Sequence, residues 1–289
     1  MRVAIIGGSG RMGRWFASFL LEDGKEVVIT GRNRRKLLAA KQELGVEVAT
    51  NAEAVKGADV ILISVLIDNF EPVVQEIQPY IHPKQVVIDI TSVKVFPVEV
   101  MHKYIKTGLT IGMHPMFGPG ARSMANQKFI LTPTNEEERA LAQKVEEYLL
   151  KRGAIITLMT PQEHDEMMAV ILGLSHFIAI VSADTLLSLG RLKQMEEISG
   201  TTYKVLLTLV EGVISQDPEL YASLQMNLPN MTKIEELFLR NSKTWAELVE
   251  NKDRRQFVHR MNILRDKLKK DNPDFEKAYQ NMYKILEGF

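Results

Sequence analysis

A histidine and a serine that could take part in proton transfer each follow an apolar stretch of the sequence. His114 lies within "GMHPMFGPG" (112–120), directly after the apolar stretch "LTIGM", and Ser92 follows the apolar stretch "VVIDI". Pro115 and Pro119 lack an N–H and fix φ, so this segment extends neither a helix nor an ordinary strand. A neutral imidazole at such a rigid point can take a proton from a hydroxyl. The alternative is a tight surface turn with an incidental histidine.

A glycine-rich turn near the start of the chain is a second motif with a candidate chemical function. It contains the GxGxxG residues Gly8, Ser9, Gly10, Arg11, Met12 and Gly13. The motif follows an apolar strand and opens a helix, where glycines permit a tight turn and let a pyrophosphate approach the helix N-terminus. The sequence therefore predicts a dinucleotide site. The alternative is a strand-to-helix turn that binds nothing.

The end of the second predicted strand bears on which dinucleotide binds. An NAD site usually has an Asp or Glu there for the ribose 2′-OH. This chain reads Thr30-Gly31 and continues with Arg32, Asn33 and Arg34. Guanidinium groups suit a 2′-phosphate, so the pattern favours NADP over NAD. A solvated, basic start of a helix is the alternative.

Further site residues follow from the same strand arrangement. Ser64, Val65 and Leu66 come after the fourth predicted strand and are expected on the nicotinamide side of the crevice. Ser92 and His114 would share that rim, where His114 could accept a hydroxyl proton while hydride leaves for the nicotinamide. A serine hydrolase is disfavoured, because "ITSVKV" is no nucleophile elbow.

The other histidines have simpler interpretations. His82, His102 and His259 lie in polar stretches and are interpreted as surface residues. His164, beside Asp165, is interpreted as a polar residue of a helix start rather than as a catalytic group. His176 lies within an apolar helix, where its ring must find a partner. It is either a satisfied core histidine or part of the cleft between domains.

The elements that must position these residues change in character near residue 160. The first part alternates apolar strands with helical patterns, and the predicted strands are 2–7, 26–31, 46–50, 59–65, 85–90, 109–113, 129–133 and 154–160. This alternation is typical of an α/β protein with a doubly wound, parallel sheet of Rossmann type. "TPQE" then starts a helix, with Thr160 as N-cap and Glu163 at N3. We predict a dinucleotide-binding domain over 1–160 and an all-α substrate and dimerisation domain over 161–289.

The segment 167–189 is almost entirely apolar. A helix that is apolar all round must be buried on all sides. A small helical domain cannot easily bury it alone, so we expect the C-terminal helices to form a homodimer.

Composition narrows the class of protein. The 289 residues balance 36 Lys+Arg against 36 Asp+Glu and contain no cysteine. Disulfides, thiolate catalysis and cysteine metal sites are excluded, and no metal site is predicted. The balanced charge gives no reason to expect a nucleic-acid partner, and no membrane span or signal peptide is expected. A cytoplasmic protein acting on a small molecule is expected.

Several motifs together resemble the prephenate dehydrogenase family, whose tyrosine-pathway members in archaea and enteric bacteria look most similar. They are "AIIGGSGRMGRWFA", "DITSVK", "HPMFGP", "EHD", "LSHF" and "SQDPELYASLQM", in the family's order over nearly the whole chain. The resemblance implies a Rossmann domain, a helical dimerisation domain and oxidative decarboxylation of prephenate or arogenate. It implies that His114 is the catalytic histidine on the ring 4-hydroxyl, that Ser92 orients this pair and that His176 lines the substrate cleft.

One position departs from the family pattern. Members usually have an arginine five residues before the Asp of "QDPELY" to bind a substrate carboxylate, and here Gly212 occupies that position. Lys204, Arg122 and Lys94 are candidates to replace it, although each is more simply an ordinary surface cation. The departure leaves the substrate open.

Three readings therefore remain. The first is an NADP-dependent prephenate or arogenate dehydrogenase. The second is a paralogue that uses another small hydroxy or oxo acid. A further relative is the group of NADP-linked deazaflavin oxidoreductases, which share the start of the chain but are not expected to have "HPMFGP". The third is a non-catalytic, NADP-sensing dimer, which Gly212 alone supports.

Overall fold

The computed structural model describes residues 1–287, which form two compact units. The first unit contains residues 1–168 and 226–229, and the second contains 169–225 and the described residues from 230 onward. The unit boundary thus follows Met168, eight residues beyond the predicted division. The domain limits 1–160 and 161–289 stay a prediction.

A single sheet forms the centre of the first unit. Its strands are β1 (Arg2–Ile6), β2 (Glu26–Ile29), β3 (Glu47–Val48), β4 (Val60–Ile63), β5 (Val86–Asp89), β6 (Leu109–Pro115), β7 (Lys128–Leu131) and β8 (Ile155–Leu158). Their order is β3-β2-β1-β4-β5-β6-β7-β8. The chain leaves β1 toward β2 and β3, then returns to β4 on the other side of β1. Strand order reverses between β1 and β4, which is the switch point of a doubly wound fold. The predicted fold class is confirmed.

The expectation of a wholly parallel sheet is wrong at one edge. β7 pairs antiparallel with β6, with His114 opposite Ile130, and β8 pairs parallel with β7. A parallel return usually needs a crossover helix. Residues 116–127 form turns without a helix, so the chain returns antiparallel. The pairing with β7 also extends β6, so that His114 lies within this strand rather than after it.

Helices cover the sheet of the first unit. They are α1 (Arg11–Glu22), α2 (Arg34–Leu44), α3 (Asn51–Lys56), α4 (Phe70–Ile77), α5 (Val95–Tyr104), α6 (Glu136–Leu150) and α7 (Pro161–Met168). At the start of α7 the Thr160 hydroxyl accepts the Glu163 N–H at 3.2 Å, and the Glu163 carboxylate accepts the Thr160 N–H at 2.9 Å. This reciprocal capping satisfies two amides that the helix itself leaves unpaired. The predicted start of this helix is confirmed.

The core of the first unit joins the sheet to its helices. Phe16 and Leu20 of α1 pack with Ile5 and Ile29 of the neighbouring strands, and Ile111 continues the same buried cluster. Branched side chains suit this surface because they pack well against a pleated sheet. The core thereby fixes the strand ends at which the predicted site residues lie.

Helices are the regular secondary structure in the described residues of the second unit. A π-helical segment, Ala169–Leu174, precedes helices α8 (Ser175–Ser188), α9 (Leu192–Glu197), α10 (Thr201–Ile214), α11 (Pro218–Asn227), α12 (Met231–Glu250), α13 (Arg254–Asp271) and α14 (Ala278–Glu287). The last two residues of α11 belong to the first unit. Within the second unit α8 packs against α10, α10 against α14, and α12 against the π-helical segment. The all-α expectation for this part of the chain is confirmed.

The apolar helix expected to be buried on all sides is not buried within the single chain. Val170, Ile171 and Leu187 are 49%, 50% and 61% exposed. By length and composition the helix over Pro161–Ser188 could cross a bilayer, although the core helix of a soluble domain meets the same test. One such helix is weak evidence for a membrane.

Candidate active site

The glycine turn between β1 and α1 is as compact as the motif predicts. Gly7 has φ +81°, in the left-handed region that favours glycine. A Cβ on Gly8 would lie 2.7 Å from the Ile29 side chain, and one on Gly13 would lie 2.6 Å from Gly8 Cα. Gly10 caps α1 without a side-chain hydrogen bond. The first amides of α1 therefore have no side-chain cap, and a phosphate group fits this arrangement.

Two neighbouring segments lie against this turn. A Cβ on Gly7 would be 2.3 Å from the Ser64 carbonyl oxygen and 2.9 Å from Val65 Cγ1. Ser64, Val65 and Leu66 are all partly exposed. On the other side, a Cβ on Gly31 would be 2.2 Å from Ser9 Oγ. The ends of β2 and β4 thus flank the glycine turn, as a dinucleotide site requires.

The basic segment after β2 faces solvent. Arg32, Asn33 and Arg34 are exposed. The Asn33 side-chain oxygen accepts the Lys36 N–H at 3.0 Å and so caps α2. This capping role leaves the two guanidinium groups as the charged part of the segment available to a ligand.

A chain of side-chain hydrogen bonds starts at His114. This residue is 4% exposed. Its Nδ1 lies 2.8 Å from Nε2 of His164, and Nδ1 of His164 lies 2.7 Å from Oδ1 of Asp165. The interpretation of His164 as a polar residue of a helix start is therefore wrong, because its ring is fully buried against His114.

Asp165 links α7 to the start of α5. Its Oδ1 accepts the Lys94 N–H at 2.6 Å, and its Oδ2 accepts the Val95 N–H at 2.9 Å. Both amides lie at the start of α5, where the N–H groups have no acceptor within the helix itself. The carboxylate of α7 thus holds the segment that follows β5 and fixes the position of His164.

Lys94 is not a substrate cation in this structure, which corrects the expectation. The side chain is 0% exposed, and its ammonium pairs with Asp89 and donates to the Met113 carbonyl oxygen at 3.0 Å. Asp89 also accepts the Thr91 N–H at 2.7 Å. Burial lowers the pKa of Lys94 and raises that of Asp89, while their mutual attraction opposes both shifts. The pair joins β5 to β6 beneath the site.

Burial also sets the protonation of the two histidines. It lowers the pKa of His114 well below 6.5, and the neighbouring His164 and Lys94 add to the lowering. Burial lowers the pKa of His164 as well, although the hydrogen bond to Asp165 acts in the opposite direction. Both imidazoles are therefore neutral at neutral pH, and His114 has the charge state that a proton acceptor needs.

Ser92 is placed near this region by the end of β5 but does not pair with His114. It is partly exposed, and within residues 1–287 its side chain forms no hydrogen bond to His114. His164 is the partner instead. The predicted orienting role of Ser92 is thus not seen here.

An aromatic cluster supports the loop after His114. Trp15 of α1 donates from Nε1 to the Ala121 carbonyl oxygen at 2.7 Å. Its ring lies 4.7 Å from that of Phe117, which in turn lies 5.3 Å from that of Phe129. The loop is thus held against the helix that begins at the glycine turn.

The remaining predicted substrate residues are not brought together with His114 by any described contact. Arg122 and Lys204 are exposed, and Gly212 of α10 has open space where a Cβ would stand. The ring of His176 packs edge-on against Tyr221 at 4.8 Å, and its buried Nδ1 has no hydrogen-bond partner among the described residues. His176 is therefore not a satisfied core histidine.

A glycine turn, a buried neutral histidine on the same doubly wound sheet and a following helical unit define a two-part, Rossmann-type dinucleotide protein. Residues 16–158 match the family described as prephenate dehydrogenase, nucleotide-binding domain. Residues 160–263 match prephenate dehydrogenase, dimerization domain. The chain belongs to the prephenate dehydrogenase family.

Similar sequences support the same family. A protein of Methanocaldococcus jannaschii, named a probable arogenate/prephenate dehydrogenase, is 36% identical over 262 residues, covering 89% of this chain and 59% of that protein. The T-protein of Haemophilus influenzae is 29% identical over 277 residues, covering 92% of this chain and 66% of that protein. The chain thus spans about three fifths to two thirds of the length of these curated relatives.

Solved structures share the fold. Prephenate dehydrogenase from A. aeolicus, in complex with hydroxyphenyl propionate and NAD+, has a TM-score of 0.77 at 20% identity, covering 94% of this chain and 98% of that one. Synechocystis arogenate dehydrogenase has a TM-score of 0.65 at 22% identity, covering 92% and 99%.

Proposed function

We propose that this protein is an NADP-dependent dehydrogenase that oxidatively decarboxylates prephenate or arogenate. The observation that carries the proposal is the buried, neutral His114 of β6, in a chain that belongs to the prephenate dehydrogenase family. The two relatives named for arogenate or prephenate support the choice of substrate.

His114 acts as the proton acceptor in this reaction. Bound NADP+ supplies the hydride acceptor for C4 of the substrate ring. His114 takes the proton of the 4-hydroxyl as the C4–O bond becomes a carbonyl. The bond between the ring and its carboxylate then breaks, CO₂ leaves, and the electron pair makes the ring aromatic. The proton returns to the phenolate oxygen, so that charge and atoms balance.

The side chains around the glycine turn would hold the dinucleotide. The turn 8–13 and the first amides of α1 would bind the pyrophosphate, and Ser64, Val65 and Leu66 would lie beside the nicotinamide. Arg32 and Arg34 are exposed after β2 and would bind a 2′-phosphate, which supports NADP as the preferred cofactor over NAD. A lower KM for NAD than for NADP would contradict this preference.

The helical unit would form a homodimer. α8 and α10 border an apolar cavity of about 420 Å³, lined in part by Ala183, Leu186, Leu207 and Val210. Covering this surface and the exposed side chains of α8 removes apolar area from water. The match to a dimerization domain supports a second copy as the partner.

Position 212, where an arginine would bind a substrate carboxylate, is a glycine in this chain. We assign Arg122 and Lys204 as the cations available for this role, and His176 as a residue that contacts the substrate. The cytoplasmic location of the protein stays a prediction from composition.

A second function is favoured by Gly212 alone. A Cβ at Gly212 would have no atom within 4 Å, so no side chain lies where that of the missing arginine would begin. A paralogue acting on a small hydroxy or oxo acid with one carboxylate fewer fits this observation.

One assay separates these functions. Purified protein is mixed with NADP+ or NAD+ and with prephenate, arogenate or a panel of small hydroxy acids, and reduced cofactor is followed by absorbance. Turnover of prephenate or arogenate supports the main proposal, and turnover of a panel acid alone supports the paralogue. Cofactor binding without turnover on any substrate contradicts both and indicates the NADP-sensing dimer.

A further inference from the structure

We propose that Asp165 and His164 are positioning residues that hold the proton of His114 on Nδ1 and leave Nε2 as the atom that accepts the substrate proton. This inference rests on the proposed function for its kinetic consequence. Its structural content, the tautomer of His114, is independent of any substrate.

The direction of the hydrogen-bond chain is set at Asp165. A carboxylate oxygen only accepts hydrogen bonds. Oδ1 accepts the Lys94 N–H at 2.6 Å and lies 2.7 Å from Nδ1 of His164. Oδ2 is engaged with the Val95 N–H at 2.9 Å. Nδ1 of His164 therefore carries a hydrogen and donates it to Asp165.

The state of His114 follows from that of His164. A neutral His164 with its hydrogen on Nδ1 has a lone pair on Nε2. The 2.8 Å contact then requires His114 to donate from Nδ1, which leaves the lone pair of His114 on Nε2. The opposite direction would need a cationic His164, whose ring is 0% exposed and lies near the buried ammonium of Lys94. Burial of a second cation there is unfavourable.

The same chain of hydrogen bonds, from Asp165 through His164, stabilises His114 after His114 has accepted a proton. The charged groups around the two rings are Asp165 of α7, Asp89 of β5 and Lys94 at the start of α5. Lys94 is paired with Asp89, so Asp165 is the carboxylate that the imidazolium of His114 reaches, through His164. The two residues thus set both the tautomer and the cost of protonating the base.

The position of the chain is built into the fold rather than into a loop. Asp165 is held by two amides of α5, and His114 is paired with Ile130 within the sheet. His164 fills the space between them, with no exposed surface. A site held by packed elements keeps its geometry better than one on a mobile segment.

The tautomer can be measured without turnover. Protein labelled with ¹⁵N in its histidines is studied by long-range ¹H–¹⁵N correlation at pH 7.5, and His114→Asn and His164→Gln assign the two rings. We expect a protonated Nδ1 and an unprotonated Nε2 for both His114 and His164. A His114 ring protonated on Nε2 overturns the inference, whatever the activity of the protein.

Kinetics test the consequence with a matched set of variants. His164→Gln places an amide oxygen where Nε2 accepts, and His164→Leu removes the acceptor. With the substrate found active in the assay above, His164→Leu should lose about 10²-fold in kcat with little change in cofactor KM, and His164→Gln should stay within about tenfold of wild type. Exposed His259→Gln is the control and should match wild type.

The pH profile separates positioning from a structural defect. Loss of the link to Asp165 removes a stabiliser of protonated His114, so the acid limb of kcat/KM should move to lower pH in Asp165→Asn. The inference would be contradicted if His164→Leu and His164→Gln lost equal amounts of kcat and the acid limb of kcat/KM in Asp165→Asn stayed at the wild-type pH. If wild type turned over no substrate, the proposed function would fail, and the NMR result would still decide the tautomer.

Discussion

At the scale of single residues, the candidate site combines a buried, neutral histidine with a buried ion pair. His114 is enclosed and neutral, and Lys94 with Asp89 lies beneath it without exposure to solvent. The low pKa of the histidine and the burial of the pair have one cause, the closed packing between β5, β6 and α7. Both therefore have measurable consequences.

The pH dependence of activity follows from the lowered pKa of His114. A base is active when it is unprotonated, and burial keeps this group unprotonated to well below pH 6.5. We predict that kcat/KM is flat from pH 8 to about 6.5 and declines only at lower pH, as protons bind to His114. A decline that is centred at or above pH 6.5 would show that the imidazole is not buried as described.

Breaking the ion pair should destabilise the first unit. Lys94→Met leaves the Asp89 carboxylate buried without its cation, which costs about 3–5 kcal/mol in the free energy of unfolding. The double variant Asp89→Asn with Lys94→Met has no unpaired charge and should lose less. Urea unfolding measures both, and a single variant as stable as wild type would contradict the pairing.

His114 and Lys94 show which site residues sequence patterns reveal. His114 was found because prolines and glycines surround it and an apolar stretch precedes it. The burial of Lys94 and the pairing of His164 with His114 were not found, because the contacts join residues far apart in the chain. Residue type and neighbours do not determine which face of α7 packs on β6. The signal in the sequence that could have indicated a functional His164 is the carboxylate of Asp165, which directly follows it.

At the scale of elements, the turn from β1 into α1 fixes the dinucleotide site. Gly7 lies so close to the end of β4, Gly8 to β2 and Gly13 to Gly8 that a Cβ has no space at these three positions. The sequence predicted the strand–turn–helix order because its pattern is local. It did not predict the antiparallel return of β7, because the direction of β7 depends on how residues 116–127 turn.

Substitution in this turn should separate cofactor binding from folding. A Cβ in Gly13→Ala would meet Gly8 Cα at 2.6 Å, so the turn must shift away from the pyrophosphate position. We predict at least a tenfold rise in the Kd for NADP by calorimetry, on the order of 1.4 kcal/mol or more. Gly57→Ala is the control, since a Cβ there has only ordinary contacts. Equal Kd values in the two variants would contradict the role of the turn.

At the scale of the whole molecule, the helical unit exposes several large apolar side chains. Leu187 and Leu189 are each 61% exposed, at the end of a helix that is apolar over most of its length. Apolar patches of this kind are typical of sites of protein association. The sequence indicates this surface through the apolar run 167–189, without the arrangement of the helices.

A charge in this surface should disrupt the proposed homodimer. We predict that Leu187→Glu shifts the protein toward monomer in sedimentation velocity, because a carboxylate in an apolar interface is poorly solvated. Leu38→Glu, on the exposed side of α2, is the matched control and should leave the oligomeric state unchanged. A Leu187→Glu protein that remains dimeric would place the interface elsewhere.

The role of His114 as the proton acceptor of a dehydrogenase is tested by the variant His114→Asn. Initial rates with NADP+ and prephenate or arogenate are compared with wild type and with the exposed-histidine variant His82→Gln, and NADP binding is measured by calorimetry. We predict a loss of roughly 10²–10⁴ in kcat with an NADP Kd close to that of wild type. A His114→Asn protein that turns over at the wild-type rate would contradict it.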